Sequence, residues 1–453
     1  MTQVIDSATK DKPDYGNRLR NAASRLSEKP VVQESVQGRL VGVTGLTLEV
    51  VGCRLSIGQR CLVDTCNNEK ILAEVVGFNR DKAFLMPYRP VSGLYSGALV
   101  EGLNEDQTII AGPQLLGRTL DGLLKPLDGL PEPQGVKIPL HSETPNPLER
   151  KPVDEPLDVG VRAINAMLTT GKGQRMGLFA GPGLGKSVLM GMMTRYTKAS
   201  IIIVGLIGER GREVREFIED ALGEEGRKRS IVIAAPADQS PLMRLRSAEV
   251  CHRLAEYYRD QGEDVLLLMD SFTRYAQAKR ELALAIGEPP ATRGYPPSVF
   301  ASLTQLAERS GNGRGTGTMT AIYTVLAEGD DQQDPIADAA RAILDGHIIL
   351  SRRLAESGHY PAIDVNASIS RVMSRVTDEE HQRCANRIRQ LLSSYESIRE
   401  IIPLGGYQKG KDPLVDEAVS KYDQMSYFLK QSVSMPASLD ESLQGLKEIA
   451  GNA

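Results

Sequence analysis

From about Val36 to Val100, apolar and polar residues alternate in short runs broken by turns. The runs are Gly38–Val43, Leu46–Val51, Arg60–Val63, Ile71–Phe78 and Ala83–Met86, with Thr44-Gly45 and Asn79-Arg80-Asp81 as turns. A period of two predicts half-buried strands, and short strands at this spacing predict a small closed barrel. A proline-dense stretch from Pro126 to Pro156 then predicts an extended connector. Beyond it the pattern changes. Apolar runs at 176–180, 201–207, 231–235, 265–270, 319–326 and 346–350 alternate with helix-length segments, which predicts a mostly buried parallel sheet of the α/β type. From about residue 377 the pattern is helical. Asp412-Pro413 reads as N-cap and first helical residue, and Ser438-x-x-Glu441 as a capping box. Near the start, Leu19, Ala22, Ala23 and Leu26 fall at i, i+3, i+4 and i+7 among Arg18, Arg20, Arg25 and Lys29. This predicts a helix that either rests on its own domain or docks on a partner or membrane surface.

The chain has 453 residues, material for two to four domains. Its net charge of −4 argues against coating nucleic acid or anionic membrane through bulk charge. The five cysteines, at 53, 61, 66, 251 and 384, form no C-x-x-C pair, so reduced thiols in a cytoplasmic protein are expected. Met1 to Lys29 has no apolar signal-peptide core, and the longest apolar runs are strand-length, short of a membrane span.

The densest chemical signal is Ala180-Gly181-Pro182-Gly183-Leu184-Gly185-Lys186-Ser187, set between the apolar runs Met176–Phe179 and Val188–Met193. Strand, glycine-rich loop and helix follow one another. Glycines let the backbone curl until successive N–H groups face one anion, and the helix adds its positive end. Lys186 would reach the β- and γ-phosphates and Ser187 would ligate Mg²⁺. Ala180 stands where the strict pattern has Gly, and a small residue fits there.

Val265–Met269 ends in Asp270, a carboxylate at the ligand edge of the sheet that can support Mg²⁺ through water. Earlier in the chain, Ile207-Gly208-Glu209-Arg210 follows the strand after the phosphate-loop helix. Glu209 there can orient and polarise an attacking water, and Arg210 and Arg274 can stabilise phosphoryl charge. From position alone, a surface-loop acid is the competing reading of Glu209.

Ala180–Ser187, Gly208-Glu209-Arg210, Leu268–Ser271 with Arg274-Tyr275-Ala276, and Arg293–Phe300 together resemble the catalytic subunits of rotary ATPases and their type III secretion relatives. The resemblance runs from about residue 36 to 430. Leu206–Val214 looks like the secretion branch, and Glu328–Pro335 looks like the flagellar protein-export ATPase rather than the injectisome one.

The resemblance implies a multidomain α/β chain. It would have an N-terminal segment (1–30), a β-barrel (31–105), a RecA-like P-loop domain with its connector (106–375) and a C-terminal helical domain (376–453). It implies a homohexamer with ATP between neighbours. Gly181 to Val188 would hold phosphate, Ser187 and Asp270 would serve the metal, and Glu209 would activate water. Arg210 and Arg274 would contact the phosphates, and adenine would pack on Tyr360. Arg371 matches the arginine that one subunit inserts into its neighbour's site; spacing alone does not single it out. For the second adenine wall the resemblance leads to Leu391–Ile398, where only Tyr395 is aromatic.

Expected partners are a dimeric stator-like regulator at the N-terminus, a central stalk protein, export chaperones with cargo, and the membrane export gate. The protein would be cytoplasmic, peripheral at the inner-membrane export apparatus. The alternatives are an injectisome ATPase, the catalytic subunit of a rotary ATP synthase, a nucleic-acid translocase and a non-hydrolysing subunit. The barrel's aromatics are chiefly Phe78, Phe84, Tyr88 and Tyr95, without a dense basic stripe, which speaks against nucleic acid. The presence of Glu209 speaks against a silent subunit.

Overall fold

The computed structural model describes residues 37–103, 107–143, 145–326 and 334–451. The expected helix around Leu19–Leu26 and the segment 1–30 lie outside these residues.

Six strands, β1 (Gly38–Thr44), β2 (Thr47–Val51), β3 (Arg60–Asp64), β4 (Lys70–Asn79), β5 (Lys82–Pro87) and β6 (Leu99–Gly102), close into a barrel in the order β1-β2-β5-β4-β3-β6. Alternate residues fill it, among them Leu40, Leu48, Val50, Cys61, Val63, Val75, Leu85 and Val100. The register slips at Leu40/Gly42 and at Val75/Gly77. Bulges of this kind supply the bend that so small a barrel needs. Leu72 and Val76 on the outside of β4 pack against the core of the next unit, so the barrel is seated on its neighbour.

That neighbour is an eight-stranded sheet in the order Ile369–Ser370, Gly346–Ile349, Arg175–Ala180, Thr318–Leu326, Asp264–Asp270, Ile201–Ile207, Ser230–Ala235, Thr119–Leu120. Six of these strands are those expected from the apolar runs. The other two differ from expectation. Ile369–Ser370 pairs antiparallel at one edge. Thr119–Leu120 comes from the region before the proline-dense stretch and extends the sheet at the other edge. The connector is also tied down more than an extended linker: Val136–Pro139 pairs with Thr108–Ala111, and Leu140 is fully buried.

Successive side chains of a strand serve opposite faces. Ile203 and Ile207 join one core with the helix Pro241–Asp260. Ile202, Val204 and Leu206 join a second core with the helix Lys186–Tyr196. The second core also takes in Cys384, Ile388, Met425, Phe428 and Leu446 of the C-terminal helices Glu379–Ile398, Pro413–Leu429 and Leu439–Ala450. The helical region therefore shares its core with the phosphate-loop side of the sheet. Asp412 caps the second of these helices, and the Ser438/Glu441 capping box is formed in both directions. Because the strands are parallel, the ends of Arg175–Ala180, Ile201–Ile207 and Asp264–Asp270 share one edge, where the ligand site of an open α/β sheet is built.

Candidate active site

At that edge, strand Arg175–Ala180 runs into a loop and then into the helix Lys186–Tyr196. Gly183 and Gly185 take positive φ of 77° and 86°, a conformation closed to most side chains. Leu184 is buried beneath the loop while Ser187 and Val188 face outward at the head of the helix. A cleft of about 560 Å³ opens above. Its wall includes the loop glycines, Pro182, Lys186, Ser187, Val188, Glu209, Arg210 and Arg274.

Lys186 lies between two carboxylates. Its Nζ donates to Asp270 Oδ1 at 2.7 Å and stands 3.6 Å from Glu209 Oε1. Burial opposes the ammonium charge, but Asp270 and Glu209 more than offset it, so the lysine's pKa is raised. Asp270 is 3% exposed, and Thr324 Oγ1 also donates to its Oδ1, at 2.5 Å. Thr324 comes from the strand between the phosphate-loop strand and the Asp270 strand. Sequence reading missed it: the strand, Thr318–Leu326, also holds Thr318, Thr320 and Tyr323, so its pattern does not single out Thr324.

Glu209 is 7% exposed, and its Oε1 has no hydrogen-bond partner. Burial first, and then the charge of Asp270, pushes its pKa up to about 7, against the pull of Lys186. A desolvated carboxylate left with an open valence is positioned to accept a hydrogen bond from a ligand or water.

Arg274 sits in the first turn of Phe272–Ala285, which Ser271 caps immediately after Asp270. Its Nη1 donates to Gln277 Oε1 at 2.9 Å, and its Nε is buried without a partner. Arg210 is different: its side chain is 84% exposed at the mouth, 3.7 Å from Glu213. Gln277, Tyr295 and Asp334 also line the cleft; Tyr295 and Asp334 lie in segments that carry the family resemblance but were not read as site residues, and Gln277 had no signal in the sequence.

The residues present fit a phosphate-bound Mg²⁺. Ser187 offers an outward hydroxyl, Asp270 is held by the adjacent Lys186, and Glu209 keeps an oxygen that accepts no hydrogen bond. Among the described residues no cluster of three His, Cys, Asp or Glu forms a cage.

Tyr360 is half exposed and lies against the loop; a Cβ on Gly185 would stand 3.6 Å from its ring. Tyr395 does not face it as a second wall. It stacks on Tyr422 at 3.6 Å between centroids, inside the C-terminal helix packing. The segment that approaches the phosphate-loop helix is instead the one after Leu429. Gln431 N–H donates to the Tyr360 carbonyl at 3.0 Å. Val433 O accepts from Tyr196 Oη at 2.9 Å and Arg195 Nη2 at 3.2 Å. Val433 lines a recess of about 370 Å³ with Ser187 and Val188.

Arg371 is apart from all of these. Its N–H donates to Asp345 O, and Asp345 N–H donates to Arg175 O. The backbone of Arg371 thus stands level with the first residue of the phosphate-loop strand. The loop leaves the last, five residues on, roughly 17 Å away at ~3.3 Å per residue. Arg371 is exposed and does not line the cleft of its own chain.

Three family models match in tandem. They describe the ATP synthase alpha/beta family beta-barrel domain over residues 40–104, that family's nucleotide-binding domain over 160–370, and the T3SS EscN ATPase C-terminal domain over 377–448. The flagellum-specific ATP synthase of Salmonella typhimurium is 55% identical over 94% of this chain and 96% of its own. The type 3 secretion system ATPase of Xanthomonas euvesicatoria is 45% identical over 94% of this chain and all of its own. The structure of the assembled ATPase EscN from enteropathogenic E. coli superposes with a TM-score of 0.86 at 40% identity, covering 91% of this chain and 100% of that one. A second, of EscN with its central stalk EscO, gives 0.83. The chain belongs to the ATP synthase alpha/beta family, in the branch of the flagellum-specific ATP synthases and type III secretion ATPases.

Proposed function

We propose that this chain hydrolyses ATP in a homohexameric ring at the cytoplasmic face of a flagellar type III export apparatus. The observation that carries the reading is the single edge at which Lys186, Asp270, Glu209 and Ser187 converge, while Arg371 stands at the far end of the same sheet. In this reading each site takes Lys186 and Glu209 from one subunit and Arg371 from the next. Phosphate entering the loop competes with Asp270 for Lys186. Mg²⁺, when bound, neutralises phosphate charge beside Ser187. Glu209 accepts a proton from, and orients, the attacking water. Arg274, held by Gln277, and Arg210 at the mouth contact the phosphates, and Arg371 stabilises charge at the transferring group. Adenine lies on Tyr360, with the segment around Val433 as the opposite wall.

The 55% identity to the Salmonella typhimurium flagellum-specific ATP synthase, against 45% to the Xanthomonas euvesicatoria type 3 secretion system ATPase, supports the flagellar assignment. The EscN assembly and its stalk complex support a ring and a central stalk partner for this chain. No helix among the described residues is long and apolar enough to cross a membrane, in keeping with peripheral attachment. The regulator would bind residues 1–30; deleting them should abolish its capture in a pull-down while the thermal transition of the remaining chain stays in place. Chaperone–cargo complexes and the export gate would meet the C-terminal helices.

The test is complementation. Lys186→Ala and Arg371→Ala proteins should each be nearly inactive, since an arginine supplied across an interface is worth about 10³–10⁵ in rate. Once exchange between differently tagged chains is established, mixing them should restore activity that rises and then falls with ratio. Activity that never exceeds the sum of the two would contradict the shared site.

A further inference from the structure

The helix Pro335–Ile343 meets both ends of this arrangement. It begins beside the cleft: Asp334 lines it and caps the helix, accepting from the N–H groups of Ile336 at 2.7 Å and Ala337 at 3.1 Å. Nine residues carry the helix about 13 Å at ~1.5 Å each. Arg341 stands in its last turn. Its carbonyl is one of those a helix leaves without an internal partner, because Asp345 turns its own N–H to Arg175. That free carbonyl accepts Arg371 Nη2 at 3.1 Å.

The side chain of Arg341 goes elsewhere. Its guanidinium lies over the Phe179 ring, 5.2 Å from the centroid, and pairs with Asp338 at 3.1 Å. Phe179 is the penultimate residue of the phosphate-loop strand and is 3% exposed. His347 packs edge-on against it, with centroids 5.7 Å apart. A ring so enclosed moves with its strand. One residue is therefore fixed by its side chain to this chain's phosphate-loop strand and holds, through its carbonyl, the arginine meant for the neighbour.

We propose that Arg341 is a positioning residue for Arg371. By seating the end of its helix on Phe179, it sets where Arg371 stands in the neighbouring subunit's site. The proposal rests on the reading that Arg371 acts across the interface. A guanidinium suits the place because it is planar, always charged, and can stack and pair at once.

The first test is Arg341→Gln in the full chain. Ring assembly and binding of a fluorescent ATP analogue should be unchanged and KM within about twofold, while kcat falls roughly tenfold or more. Arg341→Lys, which keeps the charge at a partly exposed position and is expected to fold, should recover part of the loss. Wild-type kcat in both variants overturns the proposal. The second test locates the defect. In covalently linked pairs joining an Arg341→Gln chain to a Lys186→Ala chain, every intact Lys186 faces an intact Arg341 and Arg371 from its neighbour. Such rings should approach half of wild-type activity, well above rings of Arg341→Gln alone. A defect confined to the variant's own site would not be relieved by this pairing, and no relief overturns the proposal. The same linked pair with Arg371→Ala in place of Arg341→Gln separates the two readings. If that pair is active and the Arg341→Gln pair is not, only the role of Arg341 fails. If neither is active, the shared site fails with it.

Discussion

Two glutamates, both almost wholly buried, have opposite surroundings. Glu256, on the helix behind the sheet, is 4% exposed. Arg309 donates to both of its oxygens, at 2.6 and 3.0 Å, and Ser142 adds a third bond at 2.6 Å. Burial alone would raise its pKa, but these partners bring it below the ordinary value. His252, one turn back, is fully buried; its ring nitrogens meet Ala248 O and Tyr323 Oη, each at 2.8 Å. Burial brings this imidazole down to about 4, so it is neutral. Glu209 is 7% exposed, accepts no hydrogen bond on Oε1 and is pushed up to about 7. A buried acid with both oxygens hydrogen-bonded holds the fold together. A buried acid with an oxygen that accepts no hydrogen bond carries a desolvation cost, and that cost marks a site where a ligand can complete the set.

The largest effect should come from Lys186→Ala. It removes the group shared by Asp270 and Glu209, and both nucleotide binding and hydrolysis should disappear in a binding assay and a phosphate-release assay. Retained binding would mean that the loop backbone suffices.

Next in size is Glu256→Ala. Leaving the largely buried Arg309 without its carboxylate should cost about 3 kcal/mol, seen as a lower urea midpoint, with turnover per folded ring unchanged. An unaltered midpoint would show that Glu256 is no more structural than Glu209.

A smaller effect separates the two acids by pH. Between 4.5 and about 7 the folded protein holds a proton on Glu209 that the unfolded chain has lost, so this group's contribution to stability falls as pH rises through that window. His252 acts in the opposite sense. Its folded pKa of about 4 lies below the ordinary 6.5, so its contribution is full above 6.5 and is lost as pH falls toward 4. Glu209→Gln should therefore raise the nucleotide-free midpoint at pH 8, leave it nearly unchanged at pH 4.5, and steepen the rise between. Equal shifts at both pH values would remove the assignment. In the wild type, kcat/KM should climb with pH and level off above about 7, because the free enzyme needs Glu209 ionised to accept a proton.

The contrast also explains what the sequence made legible. Unbroken apolar runs such as Ile201–Ile207 can be satisfied only by a sheet covered on both faces, so six of its eight strands were readable. The glycine-rich loop was readable because positive φ at Gly183 and Gly185 leaves little choice of residue. The edge strands Thr119–Leu120 and Ile369–Ser370 were not, since two residues show no period. Thr324, Gln277 and the Val433 segment reach the site through tertiary contacts with residues far along the chain. Tyr395 looked available as an aromatic, yet it is held by Tyr422 from the next helix. The resemblance singled out Arg371, and the register with Arg175 shows why spacing could not: it stands at the opposite end of the strand from the loop.

The central claim is that the open valence of Glu209 exists to activate water. It is tested most directly by hydrolysis in Glu209→Gln under saturating Mg²⁺ and ATP, with nucleotide occupancy measured on the same sample. The amide keeps the shape and loses the proton acceptor. The account predicts full occupancy with turnover reduced by roughly 10² or more, the scale of general-base contributions. Near-normal turnover at full occupancy would contradict it.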